Sequence, residues 1–323
     1  MAHKRETVAV FVVFCFLVYI SMNMMTKKDY DLKETAVKLP TCELPENLFR
    51  NEQPSTIRKP NLPQVIPILP ITKRNKCIDK VKWNHASDFS YFYIPSFHFC
   101  VNSNIHPEKV QQFHFERLVN TGNYNITSSF FSFLKRKSDV VIIEIGGYTG
   151  QTLQKLIPVT GAKHYVVIEP VPSFYKTLNK NIQTLNFNTS VKTYNFGLSG
   201  NRTELDVEVV GDGTKMLKKS ILNTTEKVQL VGVLDFFIQL GVGCHRIDLL
   251  TVNCEGCEFD VLENLLSTNL IQKFDFIQFQ PHHSAPNIGN FLCRYCRLRQ
   301  LLARTHEVVY KFPFLWEVWK RKE

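Results

Sequence analysis

From Ser128 onward, short apolar runs alternate with helical stretches, and this alternation restricts the chain more than any other feature. Residues 140–145, 165–169, 191–196, 249–253 and 274–279 are β-branched or aromatic and short enough for strands. Residues 149–156, 173–185, 234–240 and 258–266 carry apolar side chains at helical spacing. Strands that alternate with helices build a mostly parallel, doubly wound α/β sheet, because each crossover helix returns the chain in the same direction. Two further apolar runs, 306–310 and 314–319, read as strands closing one edge. No internal repeat is visible.

The first strand runs into a glycine-rich turn: Ile142-Ile143-Glu144-Ile145-Gly146-Gly147-Tyr148-Thr149-Gly150. Gly146 and Gly147 permit a tight turn with close backbone approach, and Gly150 opens the helix. The second strand ends in Glu169-Pro170. An acid there is placed to accept hydrogen bonds from ribose hydroxyls. Together with Glu144, the turn and the acid point to a nucleoside ligand.

The segment Val166-Val167-Ile168-Glu169-Pro170-Val171-Pro172-Ser173-Phe174, continuing to Asn181-Ile182, resembles the FkbM-type methyltransferase family. So do Leu234-Asp235, the run from Ile247 through Asn253-Cys254-Glu255-Gly256-Cys257-Glu258, and Val261-Leu262. The resemblance covers roughly residue 131 to the C-terminus. It implies a Rossmann-like sheet of the class I methyltransferase type, S-adenosyl-L-methionine (SAM) as cofactor, and O-methylation of a glycan or small-molecule hydroxyl. On that basis Glu144, Gly146, Gly147, Gly150, Glu169, Gly197 and Asn253 are the expected cofactor-binding residues. Methyl transfer to a hydroxyl also needs a base, and chemistry in such sheets sits beyond the carboxyl ends of the strands. Glu255, His282 and His283 follow the fourth and fifth strands and are the candidate catalytic residues.

The chain departs from the family at two acidic positions. Members usually carry Asp-x-Glu-Gly after the fourth strand, whereas this chain has Asn253-Cys254-Glu255-Gly256. Asn keeps the shape and one acceptor but not the charge. Gln280 ends the next strand, where an acid is also frequent. These amides motivate a rival reading, a catalytically inactive methyltransferase-like binding domain. A second rival is a membrane-anchored glycan-modifying enzyme of another reaction type, although the sheet region supplies no metal–carboxylate pair for it.

The N-terminus carries an uncharged stretch, residues 7–26, preceded by His3, Lys4 and Arg5. It is long enough to cross a ~30 Å hydrocarbon core. We read it as an uncleaved signal anchor of a type II membrane protein with its domain in the ER or Golgi lumen, with a cleaved signal and secretion as the alternative. The expected organisation is a cytoplasmic tail (1–7), a transmembrane anchor (8–25), a Pro-rich stem (26–75), an N-terminal elaboration (76–127) and a methyltransferase-like domain (128–323). Eight cysteines lie beyond the span, an even number that fits oxidised lumenal pairs. Cys254-x-x-Cys257 with Cys293-x-x-Cys296 also has zinc-ribbon form. Four glycosylation acceptors, at Asn125, Asn188, Asn201 and Asn223, fall in expected loops. The net charge of +10 raises nucleic acid as a partner. No recognition motif accompanies it, so the expected partners are a glycan or small-molecule acceptor and the membrane. The C-terminal arginines and lysines (Arg294, Arg297, Arg299, Arg304, Lys320, Arg321, Lys322) are expected to form a basic face.

Overall fold

The structure is a computed structural model and describes residues 109–113, 116, 129–200, 203–210, 213–216, 225–283, 291–312 and 314–323. The apolar span, the stem and most of the elaboration lie outside the described residues, as do Asn125, Asn201 and Asn223. Among the described residues no helix is long and apolar enough to cross a membrane.

Seven strands form the central sheet: β1 (Val141–Ile145), β2 (His164–Ile168), β3 (Ser190–Tyr194), β8 (Ile247–Val252), β9 (Phe274–Phe279), β10 (His306–Phe312) and β11 (Trp316–Arg321). Their spatial order is β10-β11-β9-β8-β1-β2-β3. β3, β2, β1, β8 and β9 are mutually parallel, while β11 is antiparallel to both β9 and β10. The chain starts in the middle with β1, moves outward to β3, then returns to β8 on the other side of β1. That reversal opens a crevice at the carboxyl ends of β1 and β8, where open α/β sheets bind ligands.

All five residues of β1 and all six of β8 are buried, as befits parallel strands covered on both faces. α1 (Gln151–Thr160) and α2 (Pro172–Thr184) cover one face, packing Leu153, Leu156 and Leu178 against Ile142, Val167 and Leu249. α3 (Val233–Leu240), α4 (Cys257–Leu266) and α5 (Phe291–Thr305) cover the other, where Phe236, Phe259, Leu262, Tyr295 and Leu298 meet Ile143, Val166 and Leu250. The doubly wound sheet expected from the alternation is present.

Two features depart from expectation. Between β3 and α3 lies a second sheet of four strands, β4 (Gly197–Ser199), β5 (Thr203–Val210), β6 (Gly213–Met216) and β7 (Thr225–Gly232), in the order β4-β7-β5-β6. Its small apolar cluster joins Val207 and Val228 to Val171 at the start of α2. Three cations of the expected basic face are also paired with carboxylates. Arg294 donates to Glu263 at 3.0 and 2.6 Å and to Asp260 at 3.1 Å. Arg299 is fully buried with Glu317, Nε to Oε2 3.2 Å, and Arg321 pairs with Asp275 at 3.2 Å.

Candidate functional site

The turn after β1 is sewn to the end of β2. The amides of Gly146 and Gly147 both donate to the carbonyl of Ile168, at 2.9 and 3.0 Å. Gly146, Tyr148 and Gly150 all have positive φ (87°, 47° and 91°), which lets the chain turn sharply before α1. The glycine requirement here comes from close contacts within the protein itself. A Cβ on Gly146 would lie 1.8 Å from the Asn253 carbonyl oxygen, and one on Gly147 would lie 2.2 Å from Val167 Cγ2. Asn253 in turn donates its amide to the Ile145 carbonyl at 2.9 Å, so the ends of β1 and β8 are in direct backbone contact.

Glu169 clamps the two loops around this crevice. Its Oε2 accepts from the Tyr148 amide at 2.7 Å, and its Oε1 from the Val171 amide at 2.9 Å. Burial pushes the carboxyl up to about 7, against the pull of those two amides, with the charge of Glu226 adding to the rise. The Tyr148 ring meets Phe174 edge-on, centroids 4.6 Å apart, and walls one side. Asn195, which the sequence did not single out, ties the end of β3 to this corner by donating to the carbonyls of Glu169 and Pro170 at 2.9 and 3.1 Å.

Two further expected cofactor residues lie within strands. Glu144 is inside β1, 2% exposed, with Oε2 accepting from the Tyr165 hydroxyl at 2.7 Å. Burial raises its carboxyl to about 8. Gly197 is in β4, paired with Leu230 of β7, and a Cβ there would meet Leu230 Cδ2 at 2.6 Å and Pro170 Cβ at 3.4 Å. It helps the second sheet pack against the corner after β2.

Beyond the ends of β8 and β9 the structure brings three side chains together. His282 Nδ1 lies 3.2 Å from Glu258 Oε1, and its Nε2 lies 3.5 Å from Glu255 Oε1. Glu258 is fully buried in the first turn of α4. Its Oε1 also accepts from the His282 amide at 2.7 Å, and its Oε2 from the Gly256 amide at 2.9 Å. Burial alone would lower the imidazole's pKa. The hydrogen bond and charge of Glu258, the charge of Glu255 and a hydrogen bond to the Gln280 backbone outweigh it, and the net shift is upward. Glu255 and His282 were singled out from sequence, but Glu258 was not. His283 faces away, with Nε2 2.6 Å from Gln111 Oε1 and its ring 6.0 Å from Phe291.

Cys254 and Cys257 are joined by a disulfide across this loop. The pair weighed as half of a zinc ribbon therefore presents no thiolates, and Cys244 and Cys296 are disulfide-bonded as well. Among the described residues no group of three or more His, Cys, Asp or Glu side chains is arranged to hold a metal.

Comparison with solved structures returns methyltransferases at low identity. The methyltransferase FkbM of Methylobacillus flagellatus KT is 14% identical, with 56% of this chain and 43% of that one covered and a TM-score of 0.38. The chain thus spans less than half the length of that protein. The O-methyltransferase TomG of Streptomyces achromogenes, involved in tomaymycin synthesis and solved with SAM, is 12% identical over 69% of this chain and 92% of its own, TM-score 0.38. A putative tRNA (m1A22) methyltransferase of Streptococcus pneumoniae, also solved with SAM, is 12% identical over 61% and 73%, TM-score 0.33. No curated protein matches the chain. The family model of the methyltransferase FkbM domain matches residues 144–312, from the end of β1 to the end of β10. The chain belongs to the FkbM methyltransferase domain family.

Proposed function

We propose that this chain is a SAM-dependent methyltransferase that methylates a hydroxyl oxygen on a glycan or small-molecule acceptor. The observation that carries the reading is the Glu258–His282–Glu255 cluster at the carboxyl ends of β8 and β9.

The residues of the crevice suit the cofactor. A carboxylate has about four lone-pair sites. Backbone amides take two of those on Glu169, and the rest suit the ribose hydroxyls, which are donors. The Gly146–Gly150 turn and Asn253 border the same crevice. SAM supplies an electrophilic methyl group when bound.

The protein's own part is to orient the acceptor and move one proton. Glu258 takes the Nδ1–H of His282, which leaves a lone pair on Nε2. Nε2 removes the proton of the attacking hydroxyl. The imidazolium so formed lies between two carboxylates, of which the buried Glu258 gives orientation and the half-exposed Glu255 gives charge. Base action of this kind contributes about 10²–10⁴-fold. Asn253, in place of an acid, leaves the cluster to supply the negative charge on this side of the crevice.

Calorimetry of the purified full chain with SAM is the first test, and absence of binding sinks the reading. Binding without methyl transfer to any hydroxyl acceptor supports the rival binding-domain reading, which Asn253 and Gln280 favour.

The chain is further proposed to be a single-pass type II protein with this domain in an oxidising lumen. The apolar span supports it, as do the disulfide-bonded Cys244, Cys254, Cys257 and Cys296 and the exposed Asn188 sequon between α2 and β3. Glycosidase treatment of the expressed chain should raise its mobility, and an unchanged band on a chain expressed in eukaryotic cells counts against the lumenal placement.

A further inference from the structure

We propose that the Cys254–Cys257 disulfide is the positioning device of this site: it holds Glu255 in left-handed backbone and so sets the Glu255 carboxylate against Nε2 of His282. The inference rests on the reading of His282 as the base, but its test requires no methyl transfer.

The two carboxylates of the cluster are held in different ways. Glu258 is fully buried in the first turn of α4 and is fixed by the amides of Gly256 and His282. It needs no further restraint. Glu255 has a side chain 47% exposed and sits in the connection between β8 and α4. A carboxylate that exposed, on an unrestrained loop, spreads over many conformers and contributes little to a pair.

The backbone is what sets it apart. Glu255 has φ 54° and Gly256 has φ 111°, two successive residues in the left-handed region. Glycine adopts that region freely, but a residue with a Cβ is disfavoured there. Something must keep Glu255 in place, and the disulfide spans these two residues. Its ends are on rigid elements. Cys257 is the first residue of α4, and Cys254 follows Asn253, whose amide is bonded to the end of β1. The ring restricts the backbone at Glu255, and from that backbone its Oε1 lies 3.5 Å from Nε2. Cys254 Sγ also lies 3.6 Å from Glu258 Oε2, a packing contact, since a disulfide sulfur has no proton to donate.

The charged groups facing the imidazole are Glu258 and Glu255, and both favour its protonated form. Moving Glu255 away therefore lowers the imidazole's pKa, whatever moves it. The test follows C2-proton exchange of His282 by mass spectrometry across pH, on the full-length chain. Four forms are compared: wild type, Glu255→Gln, Cys254→Ser/Cys257→Ser, and the triple variant. The expected result is the same downward shift in Glu255→Gln and in the serine pair, with no further shift in the triple variant, the signature of one shared interaction. A wild-type titration in the serine pair overturns the proposal, and so do shifts that add in the triple variant. If the serine pair does not fold, wild type is reduced under native conditions until the peptide 247–273 carries two alkylated cysteines, and the same readout and criteria apply. SAM calorimetry on each form separates the two claims. Loss of binding in wild type removes the cofactor reading and leaves the titration result standing.

Discussion

Replacing Gly146 with alanine tests whether the crevice is shaped by backbone contact between β1 and β8. Alanine at φ 87° incurs the left-handed penalty, about 1–2 kcal/mol. Its Cβ would also start 1.8 Å from the Asn253 carbonyl oxygen, so that backbone must retreat by at least 1.2 Å (3.0 − 1.8) to reach the shortest tolerated contact. Overpacking of this kind costs ~1–3 kcal/mol. The retreat also strains the 2.9 Å bond from the Asn253 amide to Ile145, worth about 1 kcal/mol. Gly161 provides the control. It has φ 67° at the end of α1, and a Cβ there meets nothing closer than 3.5 Å. Gly161→Ala therefore carries the backbone penalty alone, and Gly146→Ala should cost about 2–4 kcal/mol more. For a domain of this size each kcal/mol lowers Tm by about 2–4 °C. Calorimetric unfolding of both variants beside wild type should place Gly146→Ala at least ~4 °C below Gly161→Ala. Equal Tm values for the two would refute the argument that the β1–β8 contact dictates this glycine.

Other outcomes follow from the site. His282→Ala should cut methyl transfer by about 100-fold or more with SAM affinity retained, while His283→Ala, turned toward Gln111, should change it little; steady-state kinetics on one acceptor compares them. Glu169→Gln leaves the amide of Tyr148 or Val171 without its carboxylate and offers the ribose one acceptor in place of two, so calorimetry should show SAM binding at least ~10-fold weaker. Because burial holds the Glu169 carboxyl up at about 7, wild-type SAM affinity should also rise between pH 6 and 8 as the carboxylate forms. Glu144 is raised to about 8 from an unfolded value of 4.5, so the folded chain binds the extra proton across that window and its contribution to stability falls as pH rises. Glu144→Gln should flatten that decline, which denaturant unfolding at pH 5, 6.5 and 8.5 measures; an unchanged slope contradicts the assignment.

The parts legible in sequence share a physical cause. β1 and β8 are buried throughout and β2 nearly so, so their residues had to be apolar regardless of neighbours, and the glycine turn carries three positive-φ positions within five residues. The second sheet was missed because β5 and β7 alternate polar and apolar residues around a small cluster, which in sequence looks like a polar loop. In the sequence α5 falls within a basic stretch. Its apolar residues Phe291, Tyr295, Leu298 and Leu302 are buried at helical spacing, while Arg294 and Arg299 meet Glu263, Asp260 and Glu317. Charge counted along a chain does not show where its partners lie.

The sequence alone determined the α/β order, the nucleotide-type turn, the acid after β2 and the family resemblance, because each is written in residues a few positions apart. Only the tertiary structure decided which carboxylates meet His282. Residues 252 and 279 are register partners on adjacent parallel strands. The segments leaving β8 and β9 therefore emerge side by side, and Glu258 reaches an imidazole 24 residues away in the chain. The Cys254–Cys257 disulfide, the left-handed Glu255 and the buried Glu258 act on one ring for that reason, and no local pattern could have announced it.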